Sequence, residues 1–203
     1  MPEGTGKAKV RCFVALDTPP ALKEAVSALI NRMRSSEGGR KVKWVRPDGV
    51  HLTLKFLGDV PGEQVSEIEA AVSSAIKGLG TAAFDLSLGG LGQFGKPGAP
   101  RVIWLGLGGD RPALNRLQQS VEKALNPLGF PPEERGFNPH LTLGRVPELG
   151  REERAALSRL LERFANSPDV QFGRFPIHEA VLMESDRRPD GAVYTPIYHF
   201  PLS

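Results

Sequence analysis

Cysteine is almost absent from this chain, since Cys12 is the only one among 203 residues. An internal disulfide is therefore excluded, and such scarcity is typical of a reducing cytosol, so we expect a cytoplasmic protein with Cys12 as a small core residue. No apolar run approaches the roughly 20 residues of a membrane-spanning helix, and residues 1–7 lack the apolar centre of a secretory signal. No association with a membrane is expected.

Three common kinds of site are also missing. A metal site needs about three or four converging ligands, and the chain has neither a His-x-x-x-His segment nor a matching pair of carboxylates, so we expect no metal ion and no cofactor. A serine triad would need a Gly-x-Ser-x-Gly segment, which does not occur. A phosphate-binding loop would need a Gly-Lys-Ser/Thr segment after its glycines, and none follows the glycine-rich residues 89–100. These residues predict a hairpin or loop instead.

The composition that remains is that of an ordinary globular protein, with 40% apolar and 24% charged residues. The length suits one large domain or two small lobes. A net charge of +3 permits a phosphate-bearing partner without requiring one. Basic residues crowd around residue 50, and they fit either a phosphate-binding surface or a solvated edge: Arg40, Lys41, Lys43, Arg46 and Lys55. No segment has the features of an assembly interface, so a monomer is expected.

The tetrapeptide His-Leu-Thr-Leu occurs twice, at residues 51–54 and 140–143. A β-strand points alternate side chains to opposite faces, so His and Thr share one face in each copy and the two leucines share the other. The leucine face suits a core. The other face carries an imidazole and a hydroxyl, and two such faces indicate a pair of acid/base groups across a cleft.

The segments around the two copies are also doubled. Pro20 precedes His51 by 31 residues and Pro112 precedes His140 by 28, with a helix pattern in each interval. A Phe-led strand pattern follows each motif, 33 residues after the first histidine and 32 after the second, at Phe84 and Phe172. The spacing predicts an internal duplication in which each half supplies one motif and a pseudo-twofold axis brings the motifs face to face.

The periodicity predicts a mixed α and β chain. Strands are expected over residues 10–16, 42–45, 51–54, 84–88, 101–107, 140–143, 170–175, 177–184 and 194–200, with a turn over 46–49. Apolar helix faces run over 22–33, 65–79, 114–125 and 157–164. We expect residues 1–8 to form a disordered tail and residues 9–203 to form a single two-lobed domain.

Paired imidazoles suit the in-line hydrolysis of a phosphoester. Histidine titrates near 6.5, so one can take a proton from water while the other gives a proton to the leaving oxygen. The two threonine hydroxyls can donate to non-bridging phosphate oxygens, and Arg145 can offset the charge that develops there. The remaining histidines, His178 and His199, are expected to be structural or surface residues.

These features resemble the 2H phosphoesterase superfamily and, within it, the LigT-like RNA 2′,3′-cyclic phosphodiesterases, also called the 2′-5′ RNA ligase family. The matching segments are residues 11–16, 44–45, 51–58, 139–145 and 182–185. Gly144 stands where family members often carry another small residue such as alanine. The resemblance covers the chain from about residue 9 to its end.

The resemblance implies an α+β fold of two pseudo-symmetric lobes, each an antiparallel sheet backed by helices, with the active-site cleft between them. It implies metal-independent hydrolysis of an RNA-terminal 2′,3′-cyclic phosphate to a 2′-phosphomonoester. The site residues it implies are His51 and His140 for catalysis, Thr53, Thr142 and Arg145 for the phosphate, and Phe56 for stacking on the terminal base. A regular strand would place Phe56 on the face opposite His51, so a bend or bulge is needed there.

Several alternatives stay open at the level of sequence. We assign His51 as the general acid and His140 as the general base, although the symmetry of the motifs permits the reverse. Ligation to a 2′-5′ linkage would be the reverse reaction, with a 5′-hydroxyl in place of water. The partner could be RNA with a cyclic phosphate terminus or a small nucleotide, such as ADP-ribose cyclic phosphate or a 2′-5′ oligonucleotide. A non-catalytic RNA-binding module is a third interpretation.

Overall fold

The structure, a computed structural model, describes residues 9–46, 49–133, 136–188 and 191–202. The tail expected over residues 1–8 lies outside this part of the chain. The strands within it are β1 Lys9–Asp17, β2 Lys43–Trp44, β3 His51–Pro61, β4 Phe84–Lys96, β5 Ala99–Gly109, β6 His140–Arg145, β7 Gln171–Ile177, β8 Glu179–Arg188 and β9 Gly191–Pro201. The α-helices are α1 Pro20–Ser35, α2 Val65–Leu79, α3 Arg111–Leu125 and α4 Arg151–Ala165.

The strands form two antiparallel sheets. Sheet 1 has the order β3-β1-β8-β9, and sheet 2 has the order β2-β6-β5-β4-β7. One motif strand lies in each sheet, β3 at the edge of sheet 1 and β6 next to the edge of sheet 2. The expected α+β fold with two antiparallel sheets is therefore confirmed.

The helices form two pairs. α2 packs against α3, where the Ser120 hydroxyl donates to the Ala75 carbonyl at 3.2 Å, and this pair lies against strands of sheet 1. α4 lies against β4 of sheet 2, and Arg163 of α4 donates to the Ser36 hydroxyl at the end of α1 at 2.7 Å. None of these four helices is long and apolar enough to cross a membrane.

The chain crosses between the sheets, so the two lobes are not the two halves of the sequence. The Phe-led strands β4 and β7, which the spacing predicted to be equivalent, pair with each other in sheet 2, where Phe84 lies opposite Ile177. That part of the predicted duplication is wrong. The position in sheet 1 that matches β4 is taken by β8 from the end of the chain, while β2 of the first half joins sheet 2. Residue spacing measures separation along the sequence, and it does not determine which strands pair in the fold.

Most predicted elements are present, with changed limits. The strand expected over 42–45 is reduced to Lys43–Trp44. Residues 89–100 form a hairpin, because β4 and β5 continue to a tight turn after Lys96. In the predicted turn over 46–49, the Gly49 N–H donates to the Arg46 carbonyl at 2.8 Å, while Pro47 and Asp48 lie outside the described residues.

One continuous apolar core contains side chains from both sheets and all four helices. The motif leucines belong to it, since Leu52, Leu54, Leu141 and Leu143 are all buried. Because the leucines are buried on one face, the His and Thr side chains on the opposite face of each motif strand point into the space between the sheets. Cys12 is buried as well, which confirms its expected place in the core.

Candidate active site

The two motif strands meet across a cleft between the sheets. Cα atoms of β3 and β6 approach within 8 Å of one another, although the strands belong to different sheets. The cleft has a volume of about 280 Å³. All six site residues expected from the sequence line it: His51, Thr53, Phe56, His140, Thr142 and Arg145.

A β-bulge in β3 brings Phe56 to this cleft. Thr53 lies opposite Ala15 and Lys55 lies opposite Val14, so Leu54 is the extra residue of the bulge. The extra residue shifts the alternation by one, and Leu54 and Lys55 are both buried while Phe56 is exposed beside the cleft. The structure therefore contains the bulge that the expected place of Phe56 required.

A second bulge occurs at the same point of β6. Thr142 lies opposite Trp104 and Gly144 lies opposite Ile103, so Leu143 is the extra residue. The shift carries Arg145 to the cleft. Phe56 and Arg145, each five residues after its histidine, therefore occupy equivalent positions in the two motifs.

The positions that follow the bulges, Lys55 and Gly144, face the interior of the protein. The buried Lys55 ammonium lies 3.1 Å from a Glu122 carboxylate oxygen of α3 and also donates to the Pro131 carbonyl. A Cβ atom on Gly144 would lie 2.7 Å from Cγ1 of Val42. Lys55 is thus a partner of α3 and not part of an exposed basic surface.

The cluster of basic residues around residue 50 does not supply the cations of the cleft. Lys41 lies 3.7 Å from Glu153 of α4, and Lys55 is buried. The described arginines that line the cleft are Arg11, Arg145 and Arg187, and no described residue lining it is a carboxylate. The cleft therefore favours an anion.

His140 has a fixed ring orientation. Its Nδ1 lies 2.8 Å from the Asn138 carbonyl, which can only accept, so Nδ1 carries a proton and Nε2 is the nitrogen left for a reactant. The edge of the ring meets Phe94, with ring centroids 4.8 Å apart. The ring centroid of Trp104 lies 6.2 Å from that of His140.

The ring of His51 packs against two aromatic rings that also touch each other, Phe13 at 4.6 Å and Tyr194 at 4.8 Å. Burial lowers the pKa of His51 to about 4, against the opposing effects of the Asp17 charge and of the Gly49 backbone, while Lys23 adds to the lowering. The Asp17 carboxylate is itself paired with Lys23 at 2.7 Å. His51 is therefore neutral at pH 7 in the ligand-free protein.

Several residues of the cleft could not be predicted as site residues from the sequence. They are Arg11, Phe13, Ser185, Arg187 and Tyr194. Arg11 and Phe13 alternate along β1, and Ser185 and Arg187 alternate along β8, which is a strand signal. That signal does not reveal that β8 and β9 join the sheet of the first motif. The other histidines lie at the surface as expected, with His178 exposed and His199 paired with Glu179 at 3.0 Å.

The cleft does not resemble a metal centre. Across the described ranges, no group of three or more His, Cys, Asp or Glu side chains is arranged to hold a metal ion.

Tyr194 is influenced by residues of both lobes. Burial raises its pKa, and the opposing effect comes from the charge of Arg145 in the other sheet.

Two antiparallel sheets backed by helices, with a histidine and a threonine from each facing one cleft, define a 2H phosphoesterase. A family model described as the 2′-5′ RNA ligase superfamily matches residues 18–189, and the chain belongs to that superfamily.

Relatives and solved structures agree with this assignment. An RNA 2′,3′-cyclic phosphodiesterase of Methanothermobacter thermautotrophicus is 35% identical over 194 residues, which cover 96% of this chain and 100% of the relative. A protein of the same name from Aeropyrum pernix is 34% identical over 169 residues, covering 82% and 91%. Since such relatives share one enzyme name, the chain is an enzyme of the hydrolase class.

A crystal structure of a Thermus thermophilus protein matches with a TM-score of 0.74 at 28% identity, over 95% of this chain and 97% of that chain. E. coli LigT, in complex with 3′-AMP, matches with a TM-score of 0.72 at 24% identity, over 96% and 99%. The second likeness shows the fold alone.

Proposed function

We propose that this enzyme hydrolyses the 2′,3′-cyclic phosphate at the end of an RNA to a 2′-phosphomonoester, without a metal ion. The observation that carries the proposal is the convergence of both His-x-Thr pairs on one cleft that also contains Arg145. The curated relatives named RNA 2′,3′-cyclic phosphodiesterase support this choice of substrate.

In the proposed reaction, His140 takes a proton from a water molecule while the water oxygen forms a bond to phosphorus. The bond between phosphorus and O3′ breaks, and His51 gives its proton to O3′. Each histidine contributes about 10²–10⁴-fold to the rate. Because the Nδ1–H of His140 is held by Asn138, its Nε2 is free to accept the proton from water.

The phosphate is held by groups from both lobes. The hydroxyls of Thr53 and Thr142 donate to non-bridging oxygens, and Arg145 offsets the negative charge that grows as water attacks. Phe56 stacks on the terminal base, since its ring is 55% exposed beside the cleft and no longer belongs to the core face of β3.

The role of His51 as the acid requires it to gain a proton when substrate binds. Its pKa is about 4 in the ligand-free protein, and an anionic phosphate beside the ring raises the pKa toward neutrality. The reverse assignment, with His51 as the base, places the proton on His140 instead. Which histidine is protonated in the complex therefore distinguishes the two assignments.

Ligation uses the same two histidines in the same roles, with a different nucleophile. A 5′-hydroxyl, in place of water, attacks phosphorus, and release of O3′ leaves a 2′-5′ linkage. Hydrolysis dominates in dilute solution because water is in large excess over RNA ends.

The test is incubation of the enzyme with a short RNA ending in a 2′,3′-cyclic phosphate, in EDTA, with the products followed by ³¹P NMR. We expect conversion to the 2′-phosphate, with none of the 3′ isomer. Formation of the 3′-phosphate would contradict the proposed leaving group. A requirement for added metal would contradict the metal-free mechanism, and an unchanged substrate would contradict the function itself.

A further inference from the structure

The cleft has a second positively charged end, away from the histidines. Arg11 immediately precedes Cys12 in β1, and Cys12 lies opposite Glu184 of β8. Ser185 and Arg187 come next in β8, where they pair with Tyr194 and Ala192 of β9. Arg11, Ser185 and Arg187 all line the cleft, and none of the proposed catalytic steps uses them.

An aromatic surface separates this end from the reacting phosphate. The ring of Phe13 lies 5.9 Å from that of Phe56 and 5.3 Å from that of Tyr194. Along β1, Arg11 is four residues from Ala15, which pairs with Thr53. The Cα atoms of Arg11 and Ala15 are therefore roughly 13 Å apart at the rise of a strand. Since an arginine side chain spans part of that distance, the remaining gap suits one nucleoside lying on the aromatic rings.

The arginines at this end are available to an anion. In the described part of the chain Arg187 has no hydrogen-bond or ion-pair partner. The carboxylate next to it in sequence, Asp186, is paired with Arg188 at 2.8 Å. Arg11 lies 3.3 Å from Asp59, but both side chains are partly exposed to water, where such a pair is weak. A phosphate group can therefore compete for both guanidinium groups.

We propose that Arg11, Ser185 and Arg187 form a second phosphate subsite, which binds the phosphodiester on the 5′ side of the terminal nucleoside. The subsite rests on the proposed function, since it is placed relative to the cyclic phosphate between the histidines. The enzyme then prefers an RNA end, or a nucleotide with a 5′-phosphate, to a nucleoside 2′,3′-cyclic phosphate alone.

The test compares three substrates: adenosine 2′,3′-cyclic phosphate, the same compound with a 5′-phosphate, and the adenylyl dinucleotide that ends in a cyclic phosphate. We expect kcat/KM to be on the order of tenfold higher for the two substrates with a 5′ phosphoryl group. Arg187→Gln and Arg11→Gln should each reduce that ratio while leaving turnover of the plain nucleoside substrate unchanged. Arg101→Gln removes an exposed arginine that pairs with Glu148 outside this cleft, and it serves as the matched control.

The three substrates also separate the two sources of the 5′ phosphoryl group. Equal ratios for the 5′-phosphate and the dinucleotide indicate a subsite that accepts either a free nucleotide or RNA. A larger ratio for the dinucleotide indicates that the phosphodiester of RNA is the preferred ligand. Loss of one phosphate contact should also flatten the dependence of log kcat/KM on log salt by about 0.7 for the dinucleotide.

A ratio near one in the wild type, or a ratio unchanged in both arginine variants, would overturn the subsite while hydrolysis still upheld the proposed function. Binding measures the subsite independently of turnover. By calorimetry, adenosine 2′,5′-bisphosphate should bind more tightly than adenosine 2′-monophosphate, and Arg187→Gln should remove the difference. Equal affinities in the wild type would overturn the subsite even if no substrate were hydrolysed.

Discussion

His51 and His140 occupy equivalent positions in two related strands, yet their surroundings differ. Each ring has a backbone hydrogen-bond partner two residues before it, Gly49 for His51 and Asn138 for His140, but His51 packs against Phe13 and Tyr194, whereas His140 meets the edge of Phe94. Identical motifs thus give unequal histidines. The difference lies in residues that come from β1, β4 and β9, and it is not contained in the motifs themselves.

The titration of His51 provides a test at the scale of the residue. The charged groups that act on its ring are Asp17 and Lys23, and Arg145 acts on the neighbouring Tyr194. Because an anion favours the protonated imidazole, adding adenosine 2′-monophosphate should raise the pKa of His51 from about 4. Binding should then take up a proton, and affinity should rise as the pH falls from 7 toward 5.

The measurement is a pH titration of the histidine ring signals by NMR, with and without the nucleotide. His178 and His199 at the surface serve as internal controls whose signals should not respond to the nucleotide. A His51 pKa that stays near 4 in the complex would contradict the role of His51 as the acid and favour the reverse assignment.

The bulges control what each strand presents to the cleft. Alternation along β3 and β6 correctly predicts that His and Thr share one face and that the leucines fill the core. By itself it could not predict the bulges, because they depend on pairing with β1 and β5, which are distant in sequence; a bulge in β3 was expected only because the family resemblance placed Phe56 at the site. For the same reason Lys55 looked like part of a basic surface, although it is buried against Glu122.

Gly144 allows a test at the scale of the element. A Cβ atom there would lie 2.7 Å from Val42 and 3.0 Å from the ring of Trp44, which is itself held by a hydrogen bond from Nε1 to the Gly39 carbonyl at 2.8 Å. Gly144→Ala should therefore destabilise the protein by about 1–3 kcal/mol, the usual cost of overpacking. It should also lower activity, because the displaced bulge moves Arg145.

The matched control is Gly78→Ala in α2, where nothing lies within 4 Å of the added methyl group and a helix favours alanine by roughly 0.5–1 kcal/mol. Urea unfolding measures the free energy of unfolding of both variants. A Gly144→Ala protein as stable as the wild type would show that the β2–β6 pairing leaves more room than these contacts indicate.

At the scale of the whole molecule, the chain passes between the sheets several times. Sheet 1 combines β1 and β3 from the first half with β8 and β9 from the end, and sheet 2 takes β2 from the first half. The repeated motif correctly predicted two sheets with one histidine each. It could not predict Tyr194, Ser185 or Arg187, because their contribution depends on the last hairpin joining the sheet of the first motif.

The crossing has a functional consequence, since neither half of the chain contains a complete side of the cleft. His51 comes from β3, its neighbour Tyr194 comes from β9, and Arg145 acts on that tyrosine from the other sheet. We therefore expect the two histidines to act as one unit, so that loss of either removes most of the catalysis.

Catalysis by the two histidines is tested most directly by the rate at which His51→Ala, His140→Ala and the double variant hydrolyse an RNA 2′,3′-cyclic phosphate in EDTA. We predict that each single variant loses more than about 10²-fold in kcat and that the double variant loses little more than the worse single one, because groups acting in one step are not additive. Circular dichroism should show that all three variants are folded. Turnover at the wild-type rate in either folded single variant would contradict catalysis by the two histidines.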